Sequence, residues 1–196
     1  MELENFVRVY NNAVPEDVCK HIIDLFEDCG DHHTMSEIGQ GEMDSGYRSA
    51  LELNCSKQEK FRDILDSMNL LAVNMRSQYF TDIKESGVPA LAFPADEPLR
   101  LEEWRMHRYD DNSSFYKPHV DCHDEKSSKR YLALLFYMND VHEGGETRFT
   151  DHLEPLQCHP KEGRLLIFPA WWGFPHEALP PKSNPKYLLK TYFHYV

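Results

Sequence analysis

The chain has 196 residues, and its 33 acidic against 21 basic side chains leave a formal net charge of −12 at pH 7. That balance disfavours a nucleic-acid surface, which needs clustered Lys and Arg to displace counterions. Hydrophobic residues at 41% and aromatics at 12% suit an ordinary globular domain with one substantial core, not a disordered chain. A single domain, 1–196, is therefore expected. No apolar run approaches the roughly 20 residues of a membrane span. The first residues lack the basic and apolar pattern of a signal segment. Five scattered cysteines with no Cys-x-x-Cys pair read as reduced, mostly buried thiols. A cytoplasmic protein is the expectation.

In chain order, Asn5–Tyr10 reads as a short strand. Pro15 with Glu16 and Asp17 then opens a helix, its apolar face formed by Val18, Ile22, Ile23, Leu25 and Phe26 and its end near Cys29-Gly30. Asp31–Ser49, rich in Gly, His, Asp and Ser, has no sustained periodicity and is a long loop, a candidate substrate lid. Lys57–Glu85 carries a helical pattern expected to be broken once, and Gly87-Val88-Pro89 stops it. Residues 1–98 are thus helical support and loops. From 99 to 196 the pattern turns to short strands: Leu101–Tyr109, Tyr116–Asp121, Tyr131–Asn139, Thr147–Thr150, Arg164–Phe168 and Tyr187–Tyr195, separated by Gly, Pro, Asn and Asp. Helices followed by a run of strands predict a mainly β, α+β domain, a barrel or sandwich backed by helices.

The chemistry centres on His119-Val120-Asp121. On an extended strand, alternate side chains share a face, so His119 and Asp121 would project together. Two His and one carboxylate on one face of an iron form the facial triad of non-haem Fe(II) oxygenases. His176, set among Trp171-Trp172-Gly173-Phe174-Pro175, is the candidate for the second His. Ten residues on, Lys186 opens a strand on which Lys186, Leu188, Lys190 and Tyr192 share one face. A lysine directed into a barrel interior is costly without an anion, and a 2-oxo diacid chelated at the metal would supply one. Lys190, on the same face, is the competing cation. Asp121 also occupies the position that a halide would need, which favours hydroxylation over halogenation.

With these elements in hand, the chain resembles the prolyl 4-hydroxylase-type subgroup of 2-oxoglutarate/Fe(II)-dependent dioxygenases over nearly its whole length. The resemblance rests on Phe6–Phe26, on Tyr109 ten residues before His119, and on Arg130–Asn139, which follows an Arg-x6-Tyr-x-Asn pattern. Gly144-Gly145-Glu146-Thr147, the strand from Gly163 to Phe168, and the His176-to-Lys186 spacing extend it. It implies a double-stranded β-helix (jelly roll) with supporting N-terminal helices. It also implies metal ligation by His119, Asp121 and His176, and a 2-oxoglutarate pocket formed by Lys186, Tyr109 and Tyr137. The implied cofactors are Fe(II), 2-oxoglutarate and dioxygen, with ascorbate as a candidate reductant. The expected substrate is a peptidyl proline, with a free amino acid or other small molecule as the alternative. The bulky, proline-rich segment before His176 departs from many relatives and borders the site.

Blander readings stand beside these. A lone His-x-Asp is a common surface pair, a lone His176 a satisfied core histidine, and a strand tyrosine such as Tyr109 or Tyr137 ordinary packing. Cys122 and His123 alternate off the ligand face. His32, His33, His107, His142, His152, His159 and His194 lack partners at ligand spacing. Arg148 could reach a substrate carboxylate or serve as a plain surface arginine. A zinc hydrolase using the same three ligands would leave Lys186 without a role. A non-catalytic binding module would not require the intact ligand set, and a nucleic-acid demethylase is disfavoured by charge.

Overall fold

The computed structural model describes residues 3–36, 44–87, 100–110, 112–151 and 156–196. After a 3-10 turn at Leu3–Phe6 come β1 (Arg8–Tyr10) and α1 (Glu16–Glu27). Pro15 stands at the N-cap with Glu16 and Asp17 in the first turn, where acids complement the helix dipole, and Cys19, Ile22 and Phe26 form the buried stripe. The second helix, α2 (Arg62–Glu85), is unbroken. The expected interruption lies ahead of it, as two 3-10 turns at Cys55–Lys57 and Glu59–Phe61 separated by the extended Gln58. Leu65, Met68, Ala72, Arg76, Tyr79 and Ile83 are its buried residues, spaced three and four apart as one helix face requires. Polar contacts fasten that face: Arg76 Nε donates to Tyr131 Oη at 2.7 Å, and Tyr79 Oη donates to the Phe6 carbonyl at 2.8 Å.

The strands form two antiparallel sheets. The larger contains β1, β2 (Thr34–Met35), β4 (Leu51–Asn54), β5 (Arg100–Leu101), β6 (Arg105–Tyr109), β8 (Arg130–Tyr137), β11 (Arg164–Pro169) and β13 (Lys186–His194). Its order is β1-β11-β8-β13-β6-β4-β2, with β5 also on β13. The smaller runs β10-β9-β12-β7-β3, from Gln157–Cys158, Thr147–Phe149, His176–Ala178, Phe115–His119 and Arg48–Ser49 respectively. This is the mainly β, double-stranded β-helix architecture, two facing sheets without a closed barrel. In β8, every residue from Tyr131 to Tyr137 is buried, as a central strand covered on both faces demands. Phe149 of the smaller sheet meets Phe168 of the larger edge-to-face, ring centres 5.1 Å apart, and Tyr137 Oη donates across the gap to Thr147 Oγ1 at 2.7 Å.

Two further sequence expectations need correction. Asp31–Ser49 is not wholly loop: Thr34–Met35 pairs with β4 and Arg48–Ser49 with β7. Strands of two residues cannot show a period, so composition hid them. Residues 37–43 of that lid candidate, and the proline-containing 88–99, lie outside the described residues, as does His152. The Tyr116–Asp121 strand ends at His119, and Asp121 sits in a bend beyond it. All five cysteines are free, four of them buried and Cys122 partly so.

Candidate active site

His119 and His176 are direct cross-strand partners on β7 and β12. Antiparallel partners carry their side chains side by side on one face, and the two imidazole centres stand 4.4 Å apart. Asp121 reaches the same point from the bend. Its position is set by backbone bonds: the Cys122 amide donates to the Ala170 carbonyl, and Arg130 Nη1 donates to the Asp121 carbonyl, both at 2.9 Å. Nε2 of His176 is then 3.6 Å from Asp121 Oδ2 and Nε2 of His119 3.8 Å from Oδ1. One ligand atom from each of the three residues lies within 4.8 Å of the others, the group among the described residues with this property.

The surroundings prepare these atoms to bind a cation. Nδ1 of His119 is 2.9 Å from the Lys117 carbonyl and Nδ1 of His176 3.0 Å from that of Phe174. A carbonyl only accepts, so in each neutral ring Nδ1 carries the proton and Nε2 keeps its lone pair. Tyr116 stacks on the His119 ring at 3.5 Å, and Phe168 meets His176 edge-on at 4.8 Å. Burial, reinforced by His176, pushes the His119 pKa well down, favouring the neutral ligand form. Burial pushes Asp121 up, but His176, His119, Lys190 and the Tyr192 hydroxyl outweigh it and hold the carboxyl down at about 2. Tyr192 donates to Asp121 Oδ1 at 2.8 Å, while buried Oδ2 has no hydrogen-bond partner. An orphaned buried carboxylate oxygen beside two imidazole lone pairs is a fit for a divalent metal.

Lys186 lies on β13 directly opposite Tyr109 of β6. Its side chain is fully buried, with Nζ donating to the Gly145 carbonyl at 2.8 Å and sitting 4.2 Å from the Tyr109 ring centre. Burial depresses its pKa to about 7, with Glu146 pulling the other way. The accepting carbonyl depends on the Gly-Gly turn. Gly144 has φ +75°, and a Cβ there would lie 2.4 Å from the Pro180 carbonyl oxygen. Tyr137 is also buried between the sheets. Lys190, the competing cation, faces a separate cavity that Asp121 also lines.

Other sequence candidates resolve into structural contacts. Arg148 Nε donates to Glu177 at 2.7 Å. His107 is fully buried, its Nε2 2.7 Å from Glu52 and 2.5 Å from Arg48. His194 contacts Glu102 at 2.8 Å, and His33 stacks on Phe26 at 4.1 Å. Sequence reasoning did not assign roles to Tyr192, Tyr116 or Arg48. Tyr192 could have been found, because it shares the strand face of Lys186 and Lys190. Arg48 gave no comparable signal.

Comparison with known proteins agrees with this geometry. Residues 104–194 match the model of the 2OG-Fe(II) oxygenase superfamily. No curated protein matches the sequence. A Pseudomonas putida prolyl-4-hydroxylase structure superposes with TM-score 0.66 at 19% identity, over 96% of this chain and 92% of that one. A Trichoplax adhaerens prolyl hydroxylase, solved with a hypoxia-inducible-factor oxygen-degradation-domain peptide, gives 0.69 at 14% identity, over 97% and 84%. The viral collagen prolyl hydroxylase of Paramecium Bursaria Chlorella virus-1, in its 2-oxoglutarate complex, gives 0.63 at 17% identity, over 97% of each chain. At these identities the likeness is one of fold. No helix among the described residues is long and apolar enough to cross a membrane. Residues 104–194 thus carry a 2OG-Fe(II) oxygenase domain, and that domain together with the His-Asp-His cluster supports a dioxygenase that uses Fe(II), 2-oxoglutarate and dioxygen.

Proposed function

We propose that this dioxygenase hydroxylates an unactivated C–H bond of a peptidyl proline or a close relative of it, with His119, Asp121 and His176 as the metal ligands. The convergence of those three side chains is the observation that carries the reading. With Fe(II) bound, the site supplies oxygen activation coupled to 2-oxoglutarate decarboxylation, turning C–H, O2 and 2-oxoglutarate into C–OH, succinate and CO2.

The chain's own part is binding, orientation and exclusion of water. The two Nδ1–carbonyl contacts hold the imidazoles edge-on toward the centre, and Tyr192 holds Asp121 so that Oδ2 faces it. Lys186 takes the far carboxylate of 2-oxoglutarate. A fully buried ammonium whose direct contacts among the described residues are a carbonyl and an aromatic face is stabilised by an anion arriving in the same compartment. Tyr109 forms one wall beneath that ammonium, and Tyr137, tied to Thr147, offers a second hydroxyl. Water exclusion follows from the aromatic packing of Tyr116, Phe149 and Phe168 around the imidazoles.

The prolyl reading is supported by the fold likeness to solved prolyl hydroxylases, one of them holding a peptide. A free amino acid is the second reading, favoured by the small cavity of about 110 Å³ that Asp121 lines. The test uses anaerobically Fe(II)-loaded protein, prolyl peptides and free amino acids. It measures succinate and, by mass spectrometry, the gain of one oxygen. Succinate that depends on substrate and disappears in His176→Ala is expected. No decarboxylation with any of them would overturn the reading.

A further inference from the structure

The cavity that adjoins Asp121 is lined by Arg48, Tyr116, Arg130, Lys190 and Tyr192, among others. Its charges are nearly all matched. Glu52 is met by Arg48 at 3.4 Å, by His107 at 2.7 Å and by Arg105. Glu102 is met by Arg130 at 2.6 Å and His194 at 2.8 Å. Asp124 accepts from the Ser127 backbone amide at 2.7 Å. Arg130 spends a further donor on the Asp121 carbonyl. Lys190 differs: it makes no hydrogen bond or ion pair among the described residues, and its nearest recorded contact is the Tyr192 ring, 5.6 Å away. Lys126, which also lines the cavity, is exposed at its rim.

We propose that Lys190 is the substrate anchor of this enzyme, and that the substrate presents to it a carboxylate that holds the carbon to be oxidised at the Fe(II) site. The proposal rests on the reading of His119, Asp121 and His176 as the Fe(II) site. Asp121 and Glu52 lower the cost of the partly buried Lys190 charge, but neither forms a hydrogen bond or ion pair with it, and a carboxylate entering the cavity would supply that partner. The ligand Asp121 and its hydrogen-bond partner Tyr192 form part of the same wall. A group held by Lys190 therefore sets the adjoining carbon beside the metal position. Lys186 does not compete for this role. It is four residues away on the same strand, roughly 13 Å along it, and its ammonium is enclosed by Gly145 and Tyr109. The co-substrate and the substrate would thus each have one lysine, in separate compartments. Size and charge select a carboxylate over a phosphate. The cavity of about 110 Å³ has one inner cation in need of a partner, so a dianion would leave a second charge buried and unmatched.

The test titrates Mn(II)- and 2-oxoglutarate-loaded protein with three matched probes. N-acetyl-L-proline carries a terminal carboxylate, N-acetyl-L-prolinamide carries none, and N-acetyl-L-prolyl-L-aspartic acid α-amide carries the acid on a following side chain. One of the two acids should bind at least tenfold more tightly than the neutral amide. Whichever it is identifies the source of the carboxylate. Lys190→Met should abolish that preference and leave 2-oxoglutarate affinity intact, and Lys190→Arg should keep the preference. Equal affinity for all three probes, including no binding by any, overturns the proposal. So does a preference that survives Lys190→Met, or a loss of 2-oxoglutarate affinity in Lys190→Met as large as that in Lys186→Met. Failure of the wild type to bind 2-oxoglutarate would instead strike the Fe(II) and co-substrate reading beneath it.

Discussion

Tyr192→Phe isolates what a single hydroxyl does for the metal site. The phenol donates at 2.8 Å to Asp121 Oδ1, and the ring is also covered by Arg130, whose guanidinium carbon lies 4.1 Å from the ring centre. Phenylalanine keeps the ring, its packing and the cation contact, so the substitution removes the hydrogen bond alone. A hydrogen bond to a charged group contributes about 1.5–3 kcal/mol. If that energy is used to aim the carboxylate, its loss weakens metal binding by about 10- to 100-fold, the range observed when outer partners of metal ligands are removed. The assay is competition between the protein and a chelator of known affinity for Mn(II), with a thermal melt of the metal-free protein as the control for folding. Mn(II) affinity should fall by at least tenfold, while 2-oxoglutarate affinity measured at saturating metal stays close to wild type. A metal affinity within twofold of wild type would refute the argument. It would mean that the bend after β7, fastened by Ala170 and Arg130, positions Asp121 unaided.

Lys186→Met should weaken 2-oxoglutarate binding by tenfold or more, read by titration of the Mn(II)-loaded protein, yet should not lower the melting temperature of the ligand-free protein, because a buried ammonium gives way to an apolar chain of similar length. Burial holds Lys186 at about 7 against 10.5 unfolded. Between those values the unfolded chain binds the extra proton, so ligand-free stability rises with pH from about 7 towards 10.5 and carries the full cost below 7. Lys190, depressed to about 7 by burial and then by Arg48, acts in the same direction. Urea unfolding across that window should therefore be visibly less pH-dependent in Lys186→Met. By the same reasoning, 2-oxoglutarate binding at pH 8.5 should take up a proton, seen as a buffer-dependent heat in calorimetry that Lys186→Met loses. Glu52→Ala should cost about 3–5 kcal/mol in denaturant unfolding, since it leaves Arg48 and buried His107 without their carboxylate.

The parts of this architecture that were legible in the sequence are those with a sustained pattern. The strand β8 announces itself as a short continuous apolar and aromatic run, Tyr131–Tyr137, and α1 by its spacing and first-turn acids. The cluster of His119, Asp121 and His176 was legible as residues, but strand alternation is not what brings it together. Strand alternation places His119 and Asp121 on one face, whereas the strand stops at His119 and backbone bonds in a bend bring Asp121 round. The pairing that matters is His119 with His176, across β7 and β12. β12 has three residues, too few for any periodicity, and its partner lies far away in the chain. The same limit hid Arg48 and Glu52: β3 and β4 sit at the end of a stretch whose Gly, Asp and Ser content reads as loop.

The two lysines of β13 show how far a strand pattern reaches and where it stops. Alternation puts Lys186 and Lys190 on one face and makes both candidates for the same carboxylate. Alternation alone does not separate them, because what differs is the covering layer. Over Lys186 that layer is the Gly144-Gly145 turn, whose carbonyl accepts from Nζ, with Tyr109 alongside. Beside Lys190 there is a cavity walled by the proposed ligand Asp121 and by arginines already committed to Glu52 and Glu102. On the proposal above, one face of one strand serves two chambers. A charge reversal at Lys190, such as Lys190→Glu, should turn the substrate preference toward neutral or cationic probes and leave 2-oxoglutarate binding at Lys186 in place. Co-substrate binding lost together with substrate preference would show that the two chambers are one.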